Sequence, residues 1–467
     1  MIESDTIAAV STAPGEGGIG IVRISGNKAA DILGTVFKAP GQKEPGGKSF
    51  TDKTMYYGHI IDPSSTETVD EALVVYMKGP HSYTGEDVCE IQCHGGGVPL
   101  RRILNIVCGL GALPAQPGEF TKRAFLNGRL DLAQAGAVID LIRSKTGRGY
   151  HAAKEQAEGR LSERVREIRE LLLGALAEIA VWIDYPEYDT ERTFEGAIRE
   201  AAEKINELLL GAETGRLVRE GIRVAIIGKP NTGKSSLFNV MAREDAAIVT
   251  ATPGTTRDAI EIWLDIRGVP VLLSDTAGIR ESAGEIEAMG IERAKEQYRK
   301  ADVSIFLIDS SAPLSKEDID IAKLLDPEKK LLLMINKTDL PRAFGKNEAS
   351  KMIPFDFDEK EIGEISLIDD EKCKEAISLI ENRLENIVFG NALAGSSLFV
   401  TKERHKGLLE KAAAEIEEAN KALASGEAVE FVEINLKAAW NSLGEVTGET
   451  ATEDIIYRVF EEFCVGK

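Results

Sequence analysis

Cysteine is scarce: five residues in 467, at Cys89, Cys93, Cys108, Cys373 and Cys464. The odd count and wide spacing argue against a disulfide framework and fit a reducing compartment. No apolar run approaches the roughly 18 residues needed to cross a membrane. The best candidate, Leu171 to Ile183, is interrupted by Glu178 and reads as a packed helix. The opening residues, MIESDTIAAV, lack the basic-then-apolar pattern of an export signal, so a cytoplasmic location is expected. Positive charge is also in deficit. Lys and Arg number 56 against 77 Asp and Glu, a net charge of −21 spread over every large region. One stretch departs from this, since residues 121–164 hold nine bases against five acids. Phosphate binding depends on local Lys and Arg, so any RNA contact is expected to start there; a solvated helix face is the competing reading.

What is present is enough chain for two to four domains. Residues 1–120 alternate strand-like runs (Ile19 to Ile24, Ala72 to Met77, Val88 to Cys93) with Gly/Pro-rich breaks, and Pro99 to Gly109 reads as a helix. Residues 121–220 have apolar positions at helical spacing, as in Leu161, Val165, Ile168 and Leu172, and predict two or three long helices. Residues 221–385 return to short Leu-rich or β-branched runs, RVAIIG, VLLSD, VSIFLID and LLLMIN, which predict a parallel sheet covered by helices. Residues 386–467 turn helical again from Lys402, so the α/β unit reads as an insertion within a helical domain.

The insertion carries the chemistry. Gly228-Lys229-Pro230-Asn231-Thr232-Gly233-Lys234-Ser235 matches GxxxxGK[ST] between the strand Arg223 to Ile227 and a helix from Ser236. Glycines let backbone N–H groups close around phosphate oxygens, and the helix start adds positive potential. Lys234 would reach the β- and γ-phosphates, and the Ser235 hydroxyl would ligate Mg²⁺. Asp275-Thr276-Ala277-Gly278 ends one strand, and Asn336-Lys337-Thr338-Asp339 ends another. Asp339 can accept from the guanine N1 and N2 hydrogens, an arrangement adenine does not offer. Thr255 and Thr256, in the Thr250 to Asp258 segment, are candidates to clasp Mg²⁺ and γ-phosphate. Together, in this order, the segments predict a GTPase. Ile279 stands where a water-orienting Gln is common, so Glu281, Glu285 and Glu287 are candidate substitutes.

Other motifs are set aside. Gly15 to Gly20 matches GxGxxG, but the following Ile21 to Ser25 reads as a strand where a dinucleotide site needs a helix. Cys89, Cys93 and His94 have no second ligand pair and read as buried structural residues. Cys464 is fourth from the end, but Gly466 and Lys467 fit prenylation poorly.

With these motifs placed, the chain resembles the tRNA wobble-uridine modification GTPases of the MnmE/TrmE family over essentially its whole length. The most specific segments are DTIAA, GGIGIVRISG, SYTGEDVCEIQCHGG, PGEFTKRAFLNGRLDLAQA and the terminal FCVGK. The resemblance implies an N-terminal α/β folate-binding and dimerisation domain (1–120). It also implies a discontinuous helical domain (121–220 and 386–467) and an inserted Ras-like P-loop G domain (221–385). It implies a homodimer that works with an FAD-containing partner, GidA/MnmG, on tRNA. A tetrahydrofolate one-carbon unit, methylene or formyl, then helps build an aminomethyl-type (carboxymethylaminomethyl) group.

By resemblance, Arg23, Glu90, Arg129 and Lys467 contact the folate. Asn231, Thr250, Thr252 and Thr255 supply a K⁺ site, Ser235 and Thr256 hold Mg²⁺, and Glu287 orients the attacking water. Asn231 through Ser236, Thr250, Thr252, Thr255, Thr256, Asp275 through Gly278, Asn336, Lys337 and Asp339 form the GTP site. Cys464 has either a chemical or a packing role. The competing functions are a GTPase that only docks on ribosomal RNA, which has no use for residues 1–120 or FCVGK, and a pure signalling switch, which expects an effector partner and a slow K⁺-independent GTPase.

Overall fold

Alternation decides the N-terminal sheet. In the segment GGIGIVRIS, Val22 and Ile24 point one way and Arg23 the other, so one face is apolar and the opposite face carries charge. The computed structural model describes residues 5–46, 49–185, 193–244, 260–275, 298–355, 357, 361–389, 400–461 and 463–466. Its contacts divide the chain into two units: residues 1–139, 156–185 and 433–467, and residues 140–155 and 186–432.

In the first unit, β1 (Ile7–Val10), β2 (Gly17–Ser25), β3 (Phe37–Lys38), β4 (Met55–Ile61), β5 (Thr68–Met77), β6 (Val88–Gly95) and β7 (Leu113–Pro114) form one sheet in the order β3-β4-β5-β6-β2-β1-β7. All neighbours are antiparallel except β1 and β7. Helices Ala29–Val36 and Gly97–Gly109 cover the apolar face, burying Val22, Ile24, Leu33, Ile60, Val74, Ile91, Ile103 and Val107. Gly15 to Gly20 does lead into a strand. A separate cluster of Leu132, Ala135, Ile139, Phe460 and Phe463 joins the C-terminal helix Glu453–Glu461 to the helices after residue 119.

The tail then returns to the sheet. Ser11 Oγ donates to the Gly466 carbonyl (3.0 Å), and Gly118 N donates to the Cys464 carbonyl (3.3 Å). Cys464 is exposed, whereas Cys89 and Cys93 are buried. Burial pushes the Cys89 thiol strongly up and the Cys93 thiol up to about 11. Both are inert at neutral pH. No cluster of three or more metal-ligating side chains occurs among the described residues.

In the second unit, β8 (Ile222–Ile227), β9 (Ile260–Ile266), β10 (Val269–Asp275), β11 (Val303–Asp309), β12 (Lys330–Asn336) and β13 (Gly363–Glu364) form a sheet in the order β13-β12-β11-β8-β10-β9. It is parallel except for β9, which runs antiparallel to β10. The four predicted runs are its central strands. Val224, Ile226, Leu273, Ile305, Leu307, Leu332 and Met334 are buried with Leu237 and Met241 of helix Lys234–Glu244 and Ile377 and Ile380 of helix Asp370–Leu384. Helix Phe194–Glu220 packs along helix Glu403–Ser425 in the same unit.

The expected long helices of 121–220 are Arg160–Asp184 and Phe194–Glu220, and three shorter helices precede them. Among the described residues this region falls in five helices, Glu119–Leu126, Leu132–Arg143, Gly147–Ala157, Arg160–Asp184 and Phe194–Glu220. Turns at residues 127–131 and 144–146 and at Glu158-Gly159 separate the first four, with Gly128 and Gly159 in left-handed backbone. The C-terminal region forms Glu403–Ser425, Val429–Thr447 and Glu453–Glu461, helical from Lys402 onward as expected. Among the described residues no helix is long and apolar enough to cross a membrane.

Candidate active site

The phosphate loop connects β8 to helix Lys234–Glu244, which starts two residues before the expected Ser236. The turn needs left-handed backbone at Asn231 (φ 65°) and Gly233 (φ 100°). Asn tolerates that region and Gly adopts it freely. A Cβ on Gly233 would sit 2.3 Å from Asn336 Nδ2, so this position also permits close approach of a second loop. Thr232 Oγ1 donates to the Lys229 carbonyl (3.0 Å), and Lys234 Nζ donates to the same carbonyl (2.7 Å). The ammonium is thereby held inside the loop where the β- and γ-phosphates would pass. Asn231, Ser235 and Ser236 are exposed at the loop rim and helix start.

The base-recognition segment is tied directly to this loop. Asn336, at the end of β12 and nearly fully buried, donates from Nδ2 to the Thr232 carbonyl (2.8 Å). Lys337, with φ 61°, reaches Asp309 at 2.6 Å, and Ser310 Oγ donates to the Asn336 carbonyl (3.0 Å). Asp339 is exposed, and its Oδ1 accepts from Ser366 Oγ (2.6 Å). Thr338 Oγ1 donates to the Ile365 carbonyl (3.0 Å), fixing the loop that carries Ser366. Sequence reasoning missed Ser366; the signal was the short β-like Glu364-Ile365 just before it. It also missed Asp318, whose carboxylate lies 2.7 Å from the Lys229 ammonium beneath the phosphate loop.

Asp275 ends β10 as expected, beside β8. Thr250, Thr252, Thr255, Thr256, Thr276, Ala277, Gly278, Glu287 and Lys467 lie outside the described residues.

A second constellation forms on the charged face of the N-terminal sheet. Arg23 and Glu90 are direct partners in the β2–β6 register. The Arg23 Nε and Nη2 donate to Glu90 Oε1 at 3.0 and 2.8 Å. The guanidinium lies 5.5 Å from the Tyr83 ring centroid and 5.6 Å from that of Phe120. Arg129 crosses the other way: its guanidinium lies 4.9 Å from the Tyr83 ring centroid and donates to the Tyr83 carbonyl. The three predicted residues therefore converge around Tyr83, a residue that sequence reasoning did not single out, as it did not single out Phe120. Among the described residues, the buried Arg23 Nη1 has no hydrogen-bond partner. A buried guanidinium donor left unsatisfied is costly, and a carboxylate or heterocycle acceptor would satisfy it.

The parallel sheet, the phosphate loop at its strand ends and the Asn-Lys-Thr-Asp segment locked to that loop define a Ras-like P-loop GTPase domain carried within a larger chain. The flanking regions specify which kind. The profile described as "GTP-binding protein TrmE N-terminus" matches residues 6–129, and that described as "MnmE helical domain" matches residues 132–464. The "tRNA modification GTPase MnmE" of Alkaliphilus oremlandii (strain OhILAs) is 46% identical over 479 residues, covering all of both chains. That of Geobacillus thermodenitrificans (strain NG80-2) is 44% identical over 473 residues, again covering all of both. That of Lactiplantibacillus plantarum (strain ATCC BAA-793 / NCIMB 8826 / WCFS1) is 41% identical over 475 residues, covering 100% of this chain and 99% of the other. The chain belongs to the MnmE family of tRNA modification GTPases.

Proposed function

We propose that the chain hydrolyses GTP to drive modification of the wobble uridine of tRNA. It does so with an FAD-containing partner of the GidA/MnmG kind and a one-carbon unit from tetrahydrofolate. The observation that carries the GTPase reading is the Asn336–Thr232 hydrogen bond of 2.8 Å, which couples the base-recognition segment to the phosphate loop. Lys234 neutralises the β- and γ-phosphates, and Asp339, steadied by Ser366, reads the guanine edge.

Ser235, at the exposed helix start, offers a hydroxyl for Mg²⁺, with Thr256 as its companion. Asn231, exposed in left-handed backbone, belongs with Thr250, Thr252 and Thr255 in a K⁺ site. A cation there supplies positive charge between the β- and γ-phosphates, as an arginine finger would. Thr276, Ala277 and Gly278 line the γ-phosphate side, and Glu287 orients the attacking water.

The folate reading rests on Arg23, Glu90 and Arg129 around Tyr83, with Lys467 following a tail whose Gly466 accepts from Ser11, the residue after β1. The unsatisfied Arg23 Nη1 fits the acceptor-rich pterin or glutamate of such a ligand. Bound there, the folate supplies the one-carbon unit. Cys464 has a packing role in this reading, since its backbone carbonyl holds Gly118.

Homodimerisation is assigned to residues 1–120. The sheet face away from the helices exposes Met55 (51%), Tyr57 (49%) and Leu73 (41%), an apolar patch a second copy would cover. Residues 121–220 and 386–467 form the helical domain around a G domain at 221–385. A cytoplasmic location agrees with five free thiols.

GTP turnover in KCl against NaCl at equal ionic strength tests the reading. Selective stimulation by K⁺ is expected. Equal rates in the two salts would overturn the K⁺ site and the roles given to Asn231 and the three threonines.

A further inference from the structure

A chain with a net charge of −21 repels RNA over most of its surface. Residues 141–154, LIRSKTGRGYHAAK, are the exception within the basic stretch: they hold Arg143, Lys145, Arg148 and Lys154 and no acid. The structure places them at the end of helix Leu132–Arg143 and along helix Gly147–Ala157, with Arg143, Tyr150, His151 and Lys154 exposed. The rings of Tyr150 and His151 meet edge to face at 5.9 Å. Asp140, just before this stretch, is buried against Arg219 (2.9 Å) and Lys402 (3.4 Å), so its charge is already compensated.

Beside these side chains lies a cleft of about 550 Å³, lined among others by Asp140, Arg143, Lys145, Arg219, Glu220 and Trp263, with Glu220 paired to Arg219 at 3.2 Å. Lys145 Nζ sits 2.9 Å from the centroid of the Trp263 ring. Burial pushes this ammonium down to about 8. A phosphate in the cleft would reverse that loss, and the indole face would then be open to a base.

We propose that this basic stretch and the Lys145–Trp263 cleft form an RNA-docking surface, with Arg143, Lys145 and Lys154 on backbone phosphates and Trp263 and Tyr150 as stacking platforms. Basic side chains interleaved with aromatic rings are what a single-stranded or unpaired RNA segment requires. The inference rests on the tRNA reading above and adds where that RNA binds.

The test is binding of fluorescently labelled tRNA to the full chain across a NaCl series. Arg143→Gln/Lys154→Gln changes only exposed positions, and Lys145→Met keeps an apolar stem against Trp263. Each variant is expected to weaken tRNA binding at least tenfold at moderate salt. The slope of log K against log salt is expected to fall by about one per phosphate contact removed. GTP turnover without RNA should stay unchanged. Unaltered affinity and slope in both variants would overturn the proposal while leaving the tRNA reading intact. Lost wobble modification with unaltered tRNA affinity would also overturn it, and would give the face to a protein partner. A wild-type chain that binds no tRNA at low salt would overturn both this surface and direct tRNA binding.

Discussion

Asp318→Asn isolates the contact on which the geometry of the phosphate loop rests. Asp318 is 1% exposed and Lys229, the second residue of the loop, 16%. Oδ2 of Asp318 takes the Lys229 ammonium at 2.7 Å, the Ser315 hydroxyl at 2.7 Å and the Ser315 N–H at 2.9 Å. The Lys229 carbonyl in turn holds Lys234 Nζ at 2.7 Å. The Asn variant keeps the shape but removes the charge. The Lys229 ammonium then keeps only neutral acceptors, the amide oxygen and the Ser315 hydroxyl 3.2 Å away, in a largely dry site. Breaking a buried pair by removing one partner costs about 3–5 kcal/mol; the partial exposure of Lys229 favours the lower end, about 3 kcal/mol.

The assay is urea unfolding followed by release of a fluorescent guanine nucleotide, which reports on the loop itself. Lys229→Met and the double variant complete a thermodynamic cycle. Asp318→Asn should shift the midpoint by the full amount, and the double variant should recover at least about 1 kcal/mol relative to additivity. A single-variant loss under about 1 kcal/mol, or simple additivity, would refute the claim that this pair holds the loop.

Asp339→Asn should exchange guanine for xanthine specificity. Xanthine presents a carbonyl where guanine presents an amino group, so the ratio of kcat/KM for GTP over XTP should fall at least about 100-fold. Arg23→Gln should abolish reduced-folate binding, measured by calorimetry at up to millimolar ligand, while GTP turnover persists. A pH effect is expected at His94 and Asp70, whose ring nitrogen and carboxylate lie 2.7 Å apart. The Asp70 hydrogen bond raises His94 above its ordinary 6.5. Burial of Asp70 opposes its ionisation, but hydrogen bonds from His94 and the Glu71 N–H outweigh burial and hold it below 3.8. The Asp70 contribution is present above 3.8 and lost as pH falls through its folded value. The His94 contribution is present below 6.5 and lost as pH rises through its folded value. The melting-temperature difference between wild type and His94→Ala should therefore be largest between pH 3.8 and 6.5 and shrink on either side.

The parallel sheet was legible because buried strands are written as uninterrupted apolar runs, and VSIFLID and LLLMIN are such runs. Strand β9 was not: IEIWLDI interleaves Glu261 and Asp265 with apolar residues, as an edge strand paired on one side should, and so lacks the uninterrupted apolar run of its neighbours. Helix boundaries after residue 121 were missed although Gly128 and Gly159, both in left-handed backbone, mark two of them.

At the site, Lys234, Asn336 and Asp339 were readable from local spacing, since each is fixed by its own loop. Ser366, Asp318 and Tyr83 were not, because their roles arise only in space. Ser366 is 27 residues from Asp339, and Asp318 is 89 from Lys229. The Arg23–Glu90 pair spans 67 residues and exists because β2 and β6 are in register; family resemblance, not spacing, pointed to it.

The central claim is that nucleotide handling by this site drives tRNA modification. Its most direct test is nucleoside analysis of tRNA from cells that lack their own MnmE and carry either the wild-type chain or Lys234→Ala. The wild type should restore the modified wobble uridine, and Lys234→Ala, which removes the ammonium now held by the Lys229 carbonyl, should not. Equal restoration by both would contradict the account.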